Sequence, residues 1–333
     1  MITVHFVHGA RSYLPELAAY QAHIQSLGHA VQMHTQAHTV PDDAQAVWWI
    51  CGRVPADQAR RFKGAVQVHE YASASVAPLA WLKDRIKQWQ HPVPDFRVFQ
   101  SEWVRQRMGW GDAVHEPVPY ALRDMGVPAS FLTAQALQPP EFDLVYLGEM
   151  RRLLHFVPLL QTLGQAGLKL LLVGDVPPAL QAHLAKLGHI QSTGRVPQDQ
   201  VPAQLLRARA GLNLMPDVLP LSEQTSTKML EYLALGLPVV SNPYAWAQRT
   251  ARAHAGRVQL LALKASAAQW QAAMQALQQD YQALSDMRAS SEYRNQSAAN
   301  LLYRFFLETH PEHALSPVQL NVFHRAQASL ETL

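Results

Sequence analysis

The sequence predicts an α/β protein made of two doubly wound, Rossmann-like units in series. Three observations carry this reading. Short apolar runs alternate with stretches of helical periodicity. The alternation breaks over residues 127–140 (VPASFLTAQALQPP), where prolines and small polar residues suggest an interdomain linker, and then restarts. The run at 168–173, closed by Gly174 and Asp175, is apolar apart from Lys169, as expected of a parallel strand covered on both faces. A chain of 333 residues has room for two such domains, each with its own core.

Residues 2–7 are a β-branched apolar run followed by a polar turn. Residues 13–27 then show helical spacing, with Leu14, Leu17, Ala18, Ile24 and Leu27 largely on one side, and stop at Gly28. Further strands are expected at 30–33, 46–50, 65–68 and 97–99, with helices over 76–89 and from Ser101 onward. Strands separated by helices of this length imply a parallel sheet with helices on both faces. In the second half, strands are expected at 144–147, 168–173, 189–192, 211–215 and 238–241. Helices are expected at 154–163, 179–187, 198–208, 225–235 and 267–287, and helical spacing returns at 298–307. The domains are accordingly drawn at 1–138 and 139–295, with a helical tail over 296–333 packing back on the first.

Hydrophobic residues make up 48% of the chain and charged residues 16%, which describes a globular protein and excludes a disordered one. A formal charge of +3 suits an anionic small molecule or membrane surface as well as nucleic acid, and no nucleic-acid motif accompanies it. Cys51 is the only cysteine, so no disulfide forms within the chain and no cysteine metal cluster exists. The start, MITVHFVHGARSYLPEL, lacks the basic region and long apolar core of a signal peptide. No apolar run approaches the ~20 residues needed to span a bilayer, so a cytoplasmic protein, or one resting on the inner membrane surface, is expected.

Other chemistries are tested by their motifs. G-x-G-x-x-G, G-x-x-x-x-G-K-[ST] and G-x-S-x-G are all absent, which argues against a dinucleotide cofactor, a phosphate-loop NTPase and an α/β-hydrolase. The 16 histidines form no H-E-x-x-H pair, and no Asp-x-Asp pair is present to chelate a metal–diphosphate complex. No metal and no cofactor are therefore expected. A bound diphosphate would be held by cationic side chains and backbone amides.

The most informative stretch is 219–242, LPLSEQTSTKMLEYLALGLPVVSN. It reads as loop, helix, turn and buried strand. Thr225, Ser226 and Thr227 offer capping oxygens, and Leu230, Leu233, Ala234 and Leu237 form an apolar stripe. Gly236 ends the helix and Pro238 opens the next strand. A helix N-terminus at the carboxyl edge of a parallel sheet is a ready phosphate site. Lys228 in the first turn opposes the helix dipole, so it needs another reason to be there, and a diphosphate supplies one.

This segment resembles the donor-binding core of retaining GT-B glycosyltransferases of family 4 (group 1). Glu223 and Glu231 have that family's E-x7-E spacing, and Glu231 begins EYLALGLPVV, which runs to Val240. The resemblance implies a GT-B fold, two Rossmann-like domains whose parallel sheets face an interdomain cleft. It implies Glu223 near the donor-sugar hydroxyls and Glu231 accepting from the ribose hydroxyls. Upstream, VYLG ending at Gly148 resembles the first strand and turn of the family's donor domain, although Glu149 stands where the family carries an arginine. Arg151 or Arg152 then takes the phosphate role. Gly174 after LLLV, and Gly194 and Arg195 in STGRV, resemble the loops that approach the nucleotide. In the first half the likeness is looser. Gly9 and Arg11 take the place of an acceptor loop, and His69-Glu70 resembles a pair whose histidine faces the reaction centre.

The resemblance implies hexosyl transfer from a nucleotide-diphosphate sugar to a glycan, lipid-linked or small-molecule acceptor, with retention, in polysaccharide biosynthesis. Catalytic parts fall to His69, Glu223 and Lys228, with Ser226 and Thr227 at the phosphate. A non-catalytic nucleotide- or glycan-binding partner, an inverting enzyme and a nucleotide-sugar epimerase remain as alternatives. The stripe Leu79, Leu82, Ile86 and Trp89, with Lys83, Arg85 and Lys87 beside it, has two readings. It is the buried face of a Rossmann helix, or a surface that rests on an anionic membrane.

Overall fold

The computed structural model describes residues 1–9, 14–50, 53–76, 78–109, 118–136, 138–254 and 256–277. They divide into two compact units that meet between Met125 and Gly126, thirteen residues ahead of the boundary drawn from sequence. The reason is local. Part of the expected linker forms a short helix, α5 (Ala129–Thr133), and its Phe131, together with Val127, is buried in the second unit's core. The expected helix at 298–307 and the tail from 296 lie outside the described residues.

The first unit holds β1 (Thr3–His8), β2 (Ala30–His34), β3 (Ala46–Ile50), β4 (Val66–Tyr71), β5 (Phe96–Phe99) and β6 (Tyr120–Leu122). They form one sheet in the order β2-β1-β3-β4-β5-β6, every pair parallel. Helices α1 (Pro15–Ser26), α2 (Ala56–Arg61), α3 (Ala80–Gln90) and α4 (Glu102–Met108) connect the strands. Alternate residues of β3 feed opposite cores. Trp48 and Ile50 join Phe6 and Val68, while Val47 and Trp49 join Val7 and Phe62. That two-residue period on a sheet covered on both faces is the doubly wound arrangement.

The second unit repeats the plan. Its strands are β7 (Phe142–Leu147), β8 (Leu170–Val173), β9 (Ile190–Ser192), β10 (Ala208–Asn213), β11 (Val239–Ser241) and β12 (Val258–Leu260). The sheet order is β12-β11-β10-β7-β8-β9, again all parallel. Its helices are α5, α6 (Val157–Gln165), α7 (Pro178–Leu184), α8 (Val201–Leu205), α9 (Thr227–Ala234), α10 (Ala245–Ala253) and α11 (Ala267–Ala276). The chain runs outward from β7 to β9, then returns to the other side of β7 with β10. Strand order therefore reverses between β7 and β10, and ligands of open α/β sheets bind outside the carboxyl ends of the strands at such a point.

Helix α9 is buried on almost every side, including Lys228 and Glu231, rather than along the single apolar stripe expected. Its fit against β10 depends on Gly211. A Cβ added there would lie 2.2 Å from Tyr232 Cδ2 of α9. The ring cannot withdraw, because its hydroxyl accepts the Leu147 N–H (2.8 Å) and donates to the Leu212 carbonyl (3.4 Å). Gly211→Ala is expected to cost about 1–3 kcal/mol or more, the usual penalty of overpacking a filled core. A urea titration of the purified variant checks it, and an unchanged midpoint contradicts this packing.

Candidate functional site

The site grows from the reversal point between β7 and β10. β7 ends at Gly148, whose φ of 122° lies in a region open to glycine, and β8 ends at Gly174 with φ 144°. A Cβ on Gly174 would sit 3.0 Å from both the Gly148 carbonyl and Met150 Cε, so these two turns are pressed together. Gly174 donates its N–H to the Gly194 carbonyl at 3.0 Å, and Arg195 donates its backbone N–H to Asp175 Oδ1 at 3.2 Å. Gly148, Gly174 and Gly194, expected separately from sequence, thus form one backbone rim at the carboxyl ends of β7, β8 and β9. The side chain of Arg195 stays exposed.

Lys228, in the first turn of α9, enters this rim from the other strand. Its ammonium donates to Tyr146 Oη (3.2 Å) and to the Leu214 carbonyl (3.4 Å), and rests 4.4 Å from the Tyr146 ring centroid. The group is 8% exposed. Burial, reinforced by the charge of Arg152, pushes the lysine down to about 7, while Glu231 one turn later opposes the fall. Burial likewise pushes the Glu231 carboxyl up to about 8, against the pull of Lys228. Glu231 is therefore no solvated face residue of an amphipathic helix. Tyr146 is pushed up to about 12, again chiefly by burial.

The two arginines after Gly148 part company on the 3-10 turn Met150–Phe156. Arg151 points to solvent, whereas Arg152 is half-buried, with Nη1 3.7 Å from Met215 Sδ and its charge acting on both Tyr146 and Lys228. Arg152 is the one whose charge reaches Lys228.

Ser226 does not cap α9. Its hydroxyl donates instead to Asn213 Oδ1 (2.8 Å), and Asn213 Nδ2 donates to Ser241 Oγ and Tyr244 Oη, both at 2.9 Å. Asn242 grips the backbone of Met215 by two bonds, at 3.0 and 2.9 Å. This buried network pins the carboxyl ends of β10 and β11 and the start of α9 together. The Ser226 hydroxyl is used elsewhere and makes no capping bond to α9. Thr227, the first helical residue, is half-buried beside it.

Sequence reasoning missed Tyr146, Asn213, Asn242 and Tyr244. The one signal was an asparagine closing each of two apolar strands, in GLNL and VVSN. Glu223 lies on a short 3-10 turn (Leu221–Glu223), where its carboxylate pairs with Arg249 of α10 at 2.8 Å. It is thus engaged by a partner that the sequence did not suggest.

The first-unit expectations fare differently. His69 was expected at a strand end but lies inside β4, 1% exposed, with Nδ1 3.1 Å from Tyr71 Oη and Nε2 without a hydrogen-bond partner among the described residues. Burial holds its imidazole well below the usual histidine range. Val68, His69 and Glu70 alternate between the sheet faces, which turns the histidine into the layer of Tyr71 and His91 instead of outward. Gly9 is exposed after β1, and Arg11 lies outside the described residues.

Comparison with known proteins bears on the fold and on the second unit. Residues 141–280 match the family model described as glycosyl transferases group 1. None of the curated proteins matches the sequence. Among solved structures, AviGT4, a glycosyltransferase involved in avilamycin A biosynthesis, superposes with a TM-score of 0.56 at 15% identity, covering 90% of this chain and 93% of its own. HepE from Anabaena, solved with UDP and glucose, gives 0.56 at 10% identity over 100% of both chains. UDP-N-acetylglucosamine 2-epimerase from Rickettsia bellii gives 0.55 at 13%, covering 92% and 96%. The chain has the GT-B fold of two Rossmann-like units, and it is similar to the group 1 glycosyltransferases.

Proposed function

We propose that this chain transfers a sugar from a nucleotide-diphosphate donor, bound at the β7–β10 crevice of the second unit, to an acceptor hydroxyl. The observation that carries this reading is the burial of Lys228 and Glu231 one turn apart on α9, beside an N-terminus without a side-chain cap and a glycine rim. The chemistry matches what such a donor demands. Two interactions must be made at once: a carboxylate accepting from the ribose hydroxyls, and positive charge facing the diphosphate. Glu231 supplies the first, and Lys228, Arg152 and the N–H groups at Ser226–Thr227 supply the second.

During transfer the anomeric carbon–oxygen bond breaks and the diphosphate keeps the electron pair. The acceptor oxygen bonds to the anomeric carbon and gives its proton to the departing diphosphate oxygen. Positive groups already aimed at the diphosphate stabilise the charge that grows there. Glu223, tethered by Arg249, is assigned to the donor sugar. Retention of anomeric configuration follows the group 1 likeness, and NMR of the product anomer tests it while separating transfer from epimerisation. Because side chains and amides bear the charge in this scheme, chelation by EDTA is expected to leave turnover intact.

A thermal-shift screen against UDP, GDP, ADP and their sugars tests the donor site. A nucleotide present at about a hundred times its Kd should stabilise the fold by about 2.7 kcal/mol. Silence from all of them would sink the reading. With a binding nucleotide in hand, Glu231→Ala should weaken binding, Glu223→Ala should cut turnover more than binding, and Arg152→Ala should weaken diphosphate binding more than Arg151→Ala.

Binding should also be linked to protons. Above its depressed value of about 7, apo Lys228 is largely neutral, and a diphosphate alongside restores its charge. At pH 8 nucleotide binding is expected to take up protons, and affinity should fall as pH rises further. Calorimetry in two buffers of different ionisation enthalpy reads the uptake, and identical heats in both would contradict it.

A further inference from the structure

Helix α3 is mounted with its polar side inward. Asp84 is 3% exposed, accepts the Ser75 N–H at 3.1 Å, and is flanked by Lys87 (3.8 Å) and Arg107 (3.9 Å). Gln88 Nε2 donates to the Met108 carbonyl of α4 at 2.6 Å. The opposite side carries Leu82, Ile86 and Trp89 at i, i+4 and i+7, with Leu79 a turn earlier and Val93 just beyond. All five are exposed, Trp89 by 81% and Val93 by 70%. A helix that packs on its own core shows the reverse pattern. The stripe that sequence alone left between two readings therefore points away from the core.

Backbone geometry adds a second observation. Leu79 has φ 56°, the only non-glycine residue with positive φ among those described, and its side chain is 60% exposed. A leucine in the left-handed region is costly, and no packing within the fold offsets it.

The exposed charges on α3 itself are of one sign. Lys83 and Arg85 flank it on α3, and the exposed Arg53 donates to Gln90 Oε1 at the helix end (2.8 Å). The only acid of the helix, Asp84, is turned inward and paired. An exposed tryptophan on an apolar stripe with a cationic rim suits the boundary between acyl chains and anionic headgroups. No helix among the described residues is long and apolar enough to cross a membrane, so such a contact lies on the surface and does not span it.

We propose that the outward face of α3 docks this chain on an anionic lipid bilayer through Leu79, Leu82, Ile86 and Trp89, with Lys83, Arg85 and Arg53 at the headgroups. The docking stands independently of the donor site, since it uses no residue of the second unit.

Co-sedimentation of the full chain with phosphatidylcholine vesicles, pure or carrying about a third phosphatidylglycerol, tests it. Binding should require the anionic lipid and fall as salt is raised. Ile86→Gln/Trp89→Gln and Lys83→Glu/Arg85→Glu should each weaken it about tenfold or more, with melting temperature and nucleotide-induced thermal shift unchanged. Absence of vesicle binding overturns the proposal, as does binding that both variants retain. A dimer in light scattering that Ile86→Gln/Trp89→Gln dissolves, without vesicle binding, would make this face a contact between copies instead. Vesicle binding alongside a failed nucleotide screen would leave the docking standing and remove only the transferase reading.

Discussion

Lys228→Met should lower turnover by roughly a hundredfold to a thousandfold while leaving the fold at least as stable as before. The first half follows from the site. The lysine sits between Tyr146 and the Leu214 carbonyl at the N-terminal end of α9, where one preorganised positive group facing a leaving diphosphate contributes on the order of 10²–10³ in rate. The second half follows from its burial. An ammonium forced down to about 7 is held at a cost to folding, and methionine keeps the apolar stem over the Tyr146 ring without that cost. Loss of activity together with loss of stability would mean that Lys228 is structural.

The pH profile separates the two roles. Lys228 has a depressed folded value, so its contribution to stability is present above the unfolded lysine range and lost as pH falls through about 7. Glu231 has a raised folded value, so its contribution is present below the unfolded glutamate range and lost as pH rises through about 8. The two act as one coupled pair, and the apo protein should pass through a shallow stability minimum near neutrality. In Lys228→Met the alkaline arm of that minimum should vanish, which urea titrations across the pH range would read.

Arg123→Met should be the most damaging single change in the first unit. Arg123 Nε donates to Glu70 Oε1 at 2.8 Å, Nη2 makes a shorter contact to the same oxygen, and Nη2 also reaches Glu16 at 3.2 Å. Glu16 and Glu70 are 7% and 2% exposed. The guanidinium is held above its already high range, chiefly through Glu70 against the opposing pull of burial, while burial raises the Glu16 carboxyl. Removing the cation leaves two carboxylates facing each other in the interior, and breaking a buried pair this way costs about 3–5 kcal/mol. Glu70 Oε2 also accepts the Trp48 Nε1–H at 2.9 Å, so the damage should reach the aromatic core around Phe6 and Tyr20. Calorimetric melting checks the loss. Adding Glu16→Gln in the same chain should recover part of it, and a wild-type melting profile for Arg123→Met would refute the account.

Much of the architecture was legible because buried parallel strands carry unbroken apolar runs. Leu170–Val173, Ala46–Ile50 and the helix after Ser226 stand where periodicity put them. The elements that escaped were those with little apolar signal. β6 and β12 are three-residue edge strands, and α10 reads AWAQRTARA with only Ala247 buried. The Gly211–Met215 region was read as strand three residues late at its start and two at its end, because Arg209 interrupts the apolar run that begins at Ala208. Within the site, single residues with a motif were found, and residues with only a location were not. Glu231 announces itself by spacing, whereas Asn213 and Tyr244 matter through partners 28 to 31 positions away that no local pattern encodes. The orientation of α3 was ambiguous for a related reason: sequence reveals a helix's stripe but not which way the fold turns it.

The Tyr232 hydroxyl has one more consequence. The β7–β10 ladder ends at the pairing of Val145 with Gly211, and the next rung is not backbone to backbone. The phenol is spliced in between, accepting the Leu147 N–H and donating its own O–H to the Leu212 carbonyl. It works as a spacer one atom thick that lets the two strands part without orphaning either backbone group. The mouth of the crevice thus has its gauge set by a side chain next in sequence to Glu231. Phenylalanine at that position would strand a buried amide, and the strands would either close the gap or take in water to fill it.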